Sequence, residues 1–349
     1  MKKKIRINAG DGYDFVIGGG LLDEIGRMAA SVMDARRIAV FTDSTVNRLY
    51  ADKIEDQLRQ ARFKTYRYVY EAGEQSKNLD TTAQFLDFMS ECGLTRGDAV
   101  AVLGGGVAGD MGGFAASVYL RGIDFMQIPT TLLASVDSSV GGKTGVDTKY
   151  GKNLVGTFWQ PSLVVCDTDT FDSLGEDLML DGFAEVIKTA AIKSDKMFGD
   201  LENGLFTENM SDIIARCVTI KGDVVHDDEK ESGLRRILNF GHTMAHAIEL
   251  ESGYKISHGR AVAIGMLMIT RASEAHGLTE VGTYKRLYDL ISSHGYQTEP
   301  DAPLEKLCEA ARRDKKSGGS FIKLVYIPKI GEAAVMKVDF DELYDFYNV

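Results

Sequence analysis

The sequence predicts two domains, an α/β domain with a parallel sheet covered on both faces and then an all-α domain. Three observations predict this. In the first half, short apolar runs alternate with longer helical stretches, which is the rhythm of strand–helix–strand units. At about Phe171 the apolar runs give way to long segments of helical periodicity. The chain has 349 residues, more than one hydrophobic core usually organises. The boundary falls near residues 168–175, dividing 1–170 from 171–349.

The elements follow in order. Residues 38–42 form an apolar run ending at Asp43, and 44–62 read as a helix. Residues 65–70 are rich in β-formers, and 79–92 are helical again. Residues 99–103, 123–128 and 163–166 supply further strands, while 324–328 and 332–338 suggest a late hairpin within the helical half. No repeat or low-complexity segment interrupts this pattern.

Composition narrows the function. A net charge of -11 argues against nucleic acid, whose phosphates require a basic surface, although local lysines can still serve a small anion. Cys92, Cys166, Cys217 and Cys308 are scattered without paired spacing and read as small hydrophobes in a reducing compartment. Met1-Lys2-Lys3-Lys4 begins like a secretion signal, but the charged and polar residues between Arg6 and Asp14 leave no apolar segment behind it. No apolar run approaches membrane-spanning length. A cytoplasmic, soluble enzyme is expected, with no nucleic-acid or membrane partner.

Three stretches carry chemistry. The first, Gly104-Gly105-Gly106-Val107-Ala108-Gly109, fits G-x-G-x-x-G directly after an expected strand. Bare backbone there would let a pyrophosphate approach, and the next helix would offer its N-terminal N–H groups, as in a Rossmann-like nucleotide-binding domain. An ordinary glycine turn gives the same pattern. Asp124, about twenty residues on, is the acid a simple Rossmann reading assigns to the ribose. Gly18-Gly19-Gly20 is set aside, because no comparable buried strand is expected before it.

The second stretch, 128–156, is dense in hydroxyls and glycines and reads as a long loop of functional character. Lys143 and Lys152 within it, together with Lys188, Lys221 and Arg235, would make a cationic pocket suited to phosphate and carboxylate.

The third runs from Leu238 to Glu249 at helical spacing. His242 and His246 lie one turn apart on one face, with Asn239 a turn before and Glu249 a turn after. A lone pair of this kind is equally a pair of satisfied core or surface histidines. A metal site needs more ligands, and His258, opening a small-residue helix, and Glu185, in an apolar segment, offer them. Two histidines and one carboxylate would leave an open position on a zinc-type ion.

Taken together, Pro129 through Val146, Gly151 through Gly156, Ala184 through Thr189, and Leu238 through Glu249 with His258-Gly259 resemble the 3-dehydroquinate synthase family, in matching order and across nearly the whole chain. The resemblance implies a dehydroquinate synthase-like fold, with an NAD-binding domain followed by a helical metal- and substrate-binding domain. It implies NAD, one divalent metal (zinc, with cobalt as an alternative) and a homodimer. The implied reaction converts 3-deoxy-D-arabino-heptulosonate 7-phosphate (DAHP) to 3-dehydroquinate and phosphate, the second step of the shikimate pathway. Its stages are transient NAD oxidation, β-elimination, re-reduction and aldol closure.

Carried onto this chain, the family's metal ligands are Glu185, His242 and His258. The ribose acid is then Asp43, not Asp124. Gly73-Glu74-Gln75-Ser76-Lys77, Gly105-Gly106-Val107-Ala108-Gly109-Asp110, Thr130, Thr131, Lys143, Lys152 and Thr170-Phe171-Asp172-Ser173 complete the cofactor site. Substrate would meet Asp137, Lys143, Asn153, Lys188, Lys221, Arg235, Asn239 and His246, with Lys315 or Lys316 at the phosphate. Arg121 would reach a neighbouring subunit. The chain departs from the family at Arg260, where glutamate is expected, and at Asp147, where asparagine is commoner. Two other readings remain: another sugar phosphate cyclase of the same fold, and an NAD- and metal-dependent polyol dehydrogenase.

Overall fold

The computed structural model describes residues 2–231, 233–314 and 320–349. It separates into two compact units. One comprises Met1–Gly175 with Ile214–Lys230, and the other Glu176–Ile213 with Glu231–Val349. Ile214–Lys230 thus groups with the first unit, across the single boundary that the change of pattern near residue 171 suggests.

The first unit opens with β1 (Lys3–Ile7), β2 (Tyr13–Gly18) and α1 (Ile25–Ala30). There follow β3 (Arg37–Asp43), α2 (Ser44–Val46), α3 (Asp52–Gln60) and β4 (Lys64–Tyr70). Next come α4 (Leu79–Glu91), β5 (Ala99–Gly104), α5 (Gly106–Val118), β6 (Asp124–Pro129), β7 (Lys143–Thr148), β8 (Gly151–Phe158) and β9 (Leu163–Asp167). Seven strands form one sheet in the order β1-β2-β9-β6-β5-β3-β4. Only β1 with β2 is antiparallel.

The apolar runs are continuous because both sheet faces are covered. Ile38 and Val40 pack on one side with Ile54 and Leu58 of α3. Ala39 and Phe41 pack on the other with Phe85 and Met89 of α4 and Met111 of α5. Each such large side chain contributes about 1.5–3 kcal/mol on burial. The chain steps outward from β3 to β4 and then crosses back to β5, so the strand order reverses between β3 and β5. In open parallel sheets the crevice at such a reversal, beyond the strands' carboxyl ends, is where ligands bind.

Several expectations are corrected here. Residues 44–62 are two helices joined by a π-turn at Asn47–Ala51. The polar stretch is not all loop, because β7 and β8 pair as an antiparallel hairpin. Gly18-Gly19-Gly20 does follow a mostly buried strand, β2. Its turn nevertheless already receives an anion of the protein's own: Asp167 accepts from the N–H groups of Gly20 (3.0 Å) and Leu22 (2.8 Å).

The second unit holds α6 (Glu176–Lys193), α7 (Asp195–Glu202) and the first turn of α8 (Met210–Asp227). After these come α9 (His242–Glu251), α10 (His258–Ala275), α11 (Thr283–Ser293), α12 (Leu304–Asp314), the hairpin β10 (Phe321–Lys329) with β11 (Glu332–Asp339), and α13 (Leu343–Tyr347). Among the described residues it is helical save for that hairpin. No helix among the described residues is long and apolar enough to cross a membrane. The expected helix from Leu238 is broken. Leu234–Asn239 is a 3-10 turn, and α9 begins only at His242. Gly241, at φ +81°, makes the break, a conformation costly for residues with a Cβ.

Candidate active site

The second unit assembles a metal-type cluster. Glu185 on α6, His242 at the first residue of α9 and His258 at the first residue of α10 bring their ligand atoms within 4.8 Å of one another. Glu185 Oε1 is 3.7 Å from His242 Nε2 and 3.5 Å from His258 Nε2. Two ligands about 2.0–2.1 Å from a tetrahedral zinc stand roughly 3.3–3.4 Å apart, so these two carboxylate–imidazole distances exceed that spacing by only a few tenths of an ångström. The far ring nitrogens are oriented as such a site requires. His242 Nδ1 donates to the Phe240 carbonyl at 3.1 Å, and His258 Nδ1 faces Glu249 Oε2 at 3.5 Å. Both Nε2 atoms are thereby turned toward Glu185, the arrangement that fixes the tautomer of metal-ligating histidines.

Charge around the cluster is uneven. Burial, and then Lys188, push His242 down to about 3, keeping it neutral. Burial pulls His258 down as well, but Glu185 and Glu249 outweigh it and raise His258 to about 10. Lys188, one turn from Glu185 on α6, pairs with that carboxylate, and both are almost fully buried. His246 lies beside the cluster, its ring centroid 5.7 Å from His242 and 6.4 Å from His258. Arg235 is buried and Asn239 ends the 3-10 turn. Glu231, which the sequence reading missed, accepts from Asn239 Nδ2 at 2.9 Å. Its left-handed backbone, φ +58° in a residue other than glycine, is a form of strain that concentrates at functional positions.

The first unit assembles a nucleotide-type crevice. Asp43 closes β3, and its carboxylate accepts from the N–H groups of Thr45 and Val46. Beside it, β5 ends at Gly104, with φ +152°, and α5 starts at Gly106. Thr130 and Thr131 follow β6 at the same edge, and the Thr168–Ser173 turn follows β9. Asp124 instead starts β6, paired across from Ala99 at the opposite edge, so the simple Rossmann assignment fails on geometry.

Lys77 is buried and donates to Asp110 and Asn153, each at 2.7 Å. Burial opposes its charge, but Asp110 and Glu74 hold its pKa above the usual lysine range. Lys152 faces Glu74 at 3.5 Å. Asp147, the departure from asparagine, accepts from the Asn153 N–H at 2.7 Å and so ties the hairpin turn. Lys221, on the portion of α8 in this unit, donates to the Asp137 carbonyl at 2.6 Å and its carboxylate at 2.5 Å. Lys143 opens β7. Arg121 lies at the amino edge, just before β6, in a left-handed conformation at φ +73°. The structure does not bring it to the glycine turn of its own chain. Lys315 and Lys316 lie outside the described residues.

The comparisons with known proteins decide the family. The N-terminal model of 3-dehydroquinate synthase matches residues 67–181 and its C-terminal model matches 182–317. A 3-dehydroquinate synthase of Enterococcus faecalis is 44% identical over 342 residues, covering 96% of each chain. This chain belongs to the 3-dehydroquinate synthase family. Among solved structures, a 2-epi-5-epi-valiolone synthase from Streptomyces hygroscopicus subsp. jinggangensis, with NAD+ and Zn2+ bound, superposes with TM-score 0.86 at 27% identity, covering 96% of this chain and 95% of that one. A 2-deoxy-scyllo-inosose synthase superposes at 0.89 with 22% identity, covering 99% of this chain and 100% of the other. The latter likeness speaks to fold alone.

Arg260 is one of the two positions at which the resemblance implies another residue, and its partner lies on α6. Its guanidinium bonds Asp177 on α6 at 2.6 Å, and Asp177 is 86% exposed. Exposed pairs contribute at most about 1 kcal/mol. Arg260→Glu should therefore leave zinc affinity and turnover within about twofold of the parent. A marked loss of either would show that the charge reaches the metal cluster.

Proposed function

We propose that this chain works in the cytoplasm as a homodimeric 3-dehydroquinate synthase that converts DAHP to 3-dehydroquinate and phosphate, with NAD and one divalent metal. The near-full-length 44% identity to a 3-dehydroquinate synthase carries the reading. The Glu185–His242–His258 cluster and the bound NAD+ and Zn2+ of the valiolone synthase neighbour support the cofactors. When bound, NAD takes and returns one hydride, and the divalent ion acidifies the hydroxyls it binds.

The protein's own groups do the rest. Glu185, His242 and His258 hold the ion. Asp43 would hold the ribose hydroxyls of a bound NAD, and the N–H groups that open α5 would meet its pyrophosphate. Lys188 stabilises negative charge on the oxygen of the hydroxyl as it is oxidised, where electrostatic help is largest. The new ketone makes the neighbouring C–H acidic. As that proton leaves, toward the departing phosphate, the C–O bond to phosphate breaks. Arg235 clamps the substrate carboxylate through its planar fork, which disfavours a cyclase acting on a substrate without one. Asn239, held by Glu231, serves the carboxylate side with Arg235, and His246 positions the hydroxyls through ring opening and aldol closure. Asp137, Asn153, Lys143, Lys152 and Lys221 supply the remaining polar and cationic contacts to substrate and cofactor. Arg121 serves the second copy.

Because the hydride is returned, turnover is redox-neutral. With DAHP, zinc and catalytic NAD, phosphate and 3-dehydroquinate should appear one to one with no growth of NADH absorbance. NADH accumulating in step with substrate loss would overturn this and install the polyol dehydrogenase reading.

A further inference from the structure

We infer that Asp181 is a positioning residue for the metal centre, a latch that fixes His258 relative to Glu185. The inference rests on the ligand assignment above. Asp181 lies one turn before Glu185 on α6, so both carboxylates project from the same side of the helix. Asp181 Oδ1 accepts from Ser257 Oγ at 2.6 Å and from the Gly259 N–H at 3.0 Å. Those two donors flank His258 in sequence. One oxygen therefore holds the backbone on either side of the ligand, on the helix that carries the other ligand.

Packing reinforces the latch. A Cβ at position 259 would stand 2.3 Å from the Asp181 carbonyl oxygen and 2.5 Å from its Cα, so only glycine lets α10 descend this far onto α6. Glu249 orients the His258 ring, while Asp181 sets where that ring starts from. Residues that orient metal ligands in this way are worth about 10–100-fold in affinity.

The test is zinc affinity measured by competition with a chromophoric chelator, together with the visible spectrum of the cobalt-loaded protein. Asp181→Ala should weaken zinc binding about 10–100-fold and change the cobalt spectrum. Asp181→Asn keeps the Oδ1 acceptor and should restore both toward the parent. Should the alanine variant fold poorly, Ser257→Ala, which removes one of the two bonds, should show a smaller loss of zinc affinity in the same direction. A role in general stability alone would lower the melting temperature of the metal-free protein and leave affinity and spectrum unchanged, which overturns the inference. Glu185→Gln run in parallel separates the two readings. If it retains zinc, the ligand assignment has failed. If it loses zinc while Asp181→Ala does not, only the latch has failed.

Discussion

Glu185→Gln should empty the metal site and abolish 3-dehydroquinate formation. The change is nearly isosteric, so the helix should persist, but it removes the only anion of the three-ligand cluster. A divalent ion would then sit between neutral imidazoles with the Lys188 ammonium close by. At an effective dielectric of about 20, two unit charges 4 Å apart interact by about 4 kcal/mol, and a divalent ion doubles that. The loss of affinity should exceed the 100-fold upper end expected for an outer partner. Zinc content after dialysis against chelator measures it, with His246→Ala as the control that should keep its zinc and lose rate. A fully loaded Gln variant would mean that the ion is held elsewhere.

Gly265→Ala should have the second-largest effect, although it touches no ligand. A Cβ there would lie 2.1 Å from the Gly241 carbonyl oxygen and 3.1 Å from the Ala245 nitrogen. Both are backbone atoms of the segment that launches α9 and cannot swing aside. The helices carrying His242 and His258 must then separate by about 1 Å, a displacement that costs a tuned site around 100-fold. Overpacking itself adds about 1–3 kcal/mol of destabilisation. Denaturant midpoint and zinc affinity should fall together. An unchanged zinc affinity would show that the cluster tolerates a looser crossing.

β3 and β5 were legible because each is buried on two faces, so Ile38 through Thr42 and Ala99 through Leu103 read as short apolar runs. β1, with Lys4 and Arg6 alternating against Ile5 and Ile7, was not, since an edge strand carries charge on its exposed face. The β7–β8 hairpin was hidden for another reason. Gly145 sits opposite Gly156, and a paired position without side chains interrupts the alternation that would mark a strand. In the site, helical spacing placed His242 and His246 on one face, but it carried Asn239 along into a helix that Gly241 forbids. Glu231 escaped because it stands in a run of acids and a lysine that resembles any solvated turn. Its distinguishing mark is a backbone angle, which no residue type announces.

The return of Ile214–Lys230 to the first unit also bears on the order in which the molecule is made. A ribosome that has finished Gly175 has not finished that unit. Roughly 55 further residues must follow before the segment bearing Lys221 exists, about 3–11 s at synthesis rates of about 5–20 residues/s. During that interval Asp137 waits without the lysine that binds it, and the sheet must hold without its last helix. A fragment ending at residue 175 would copy this nascent state, so the first unit cannot be obtained by simple truncation.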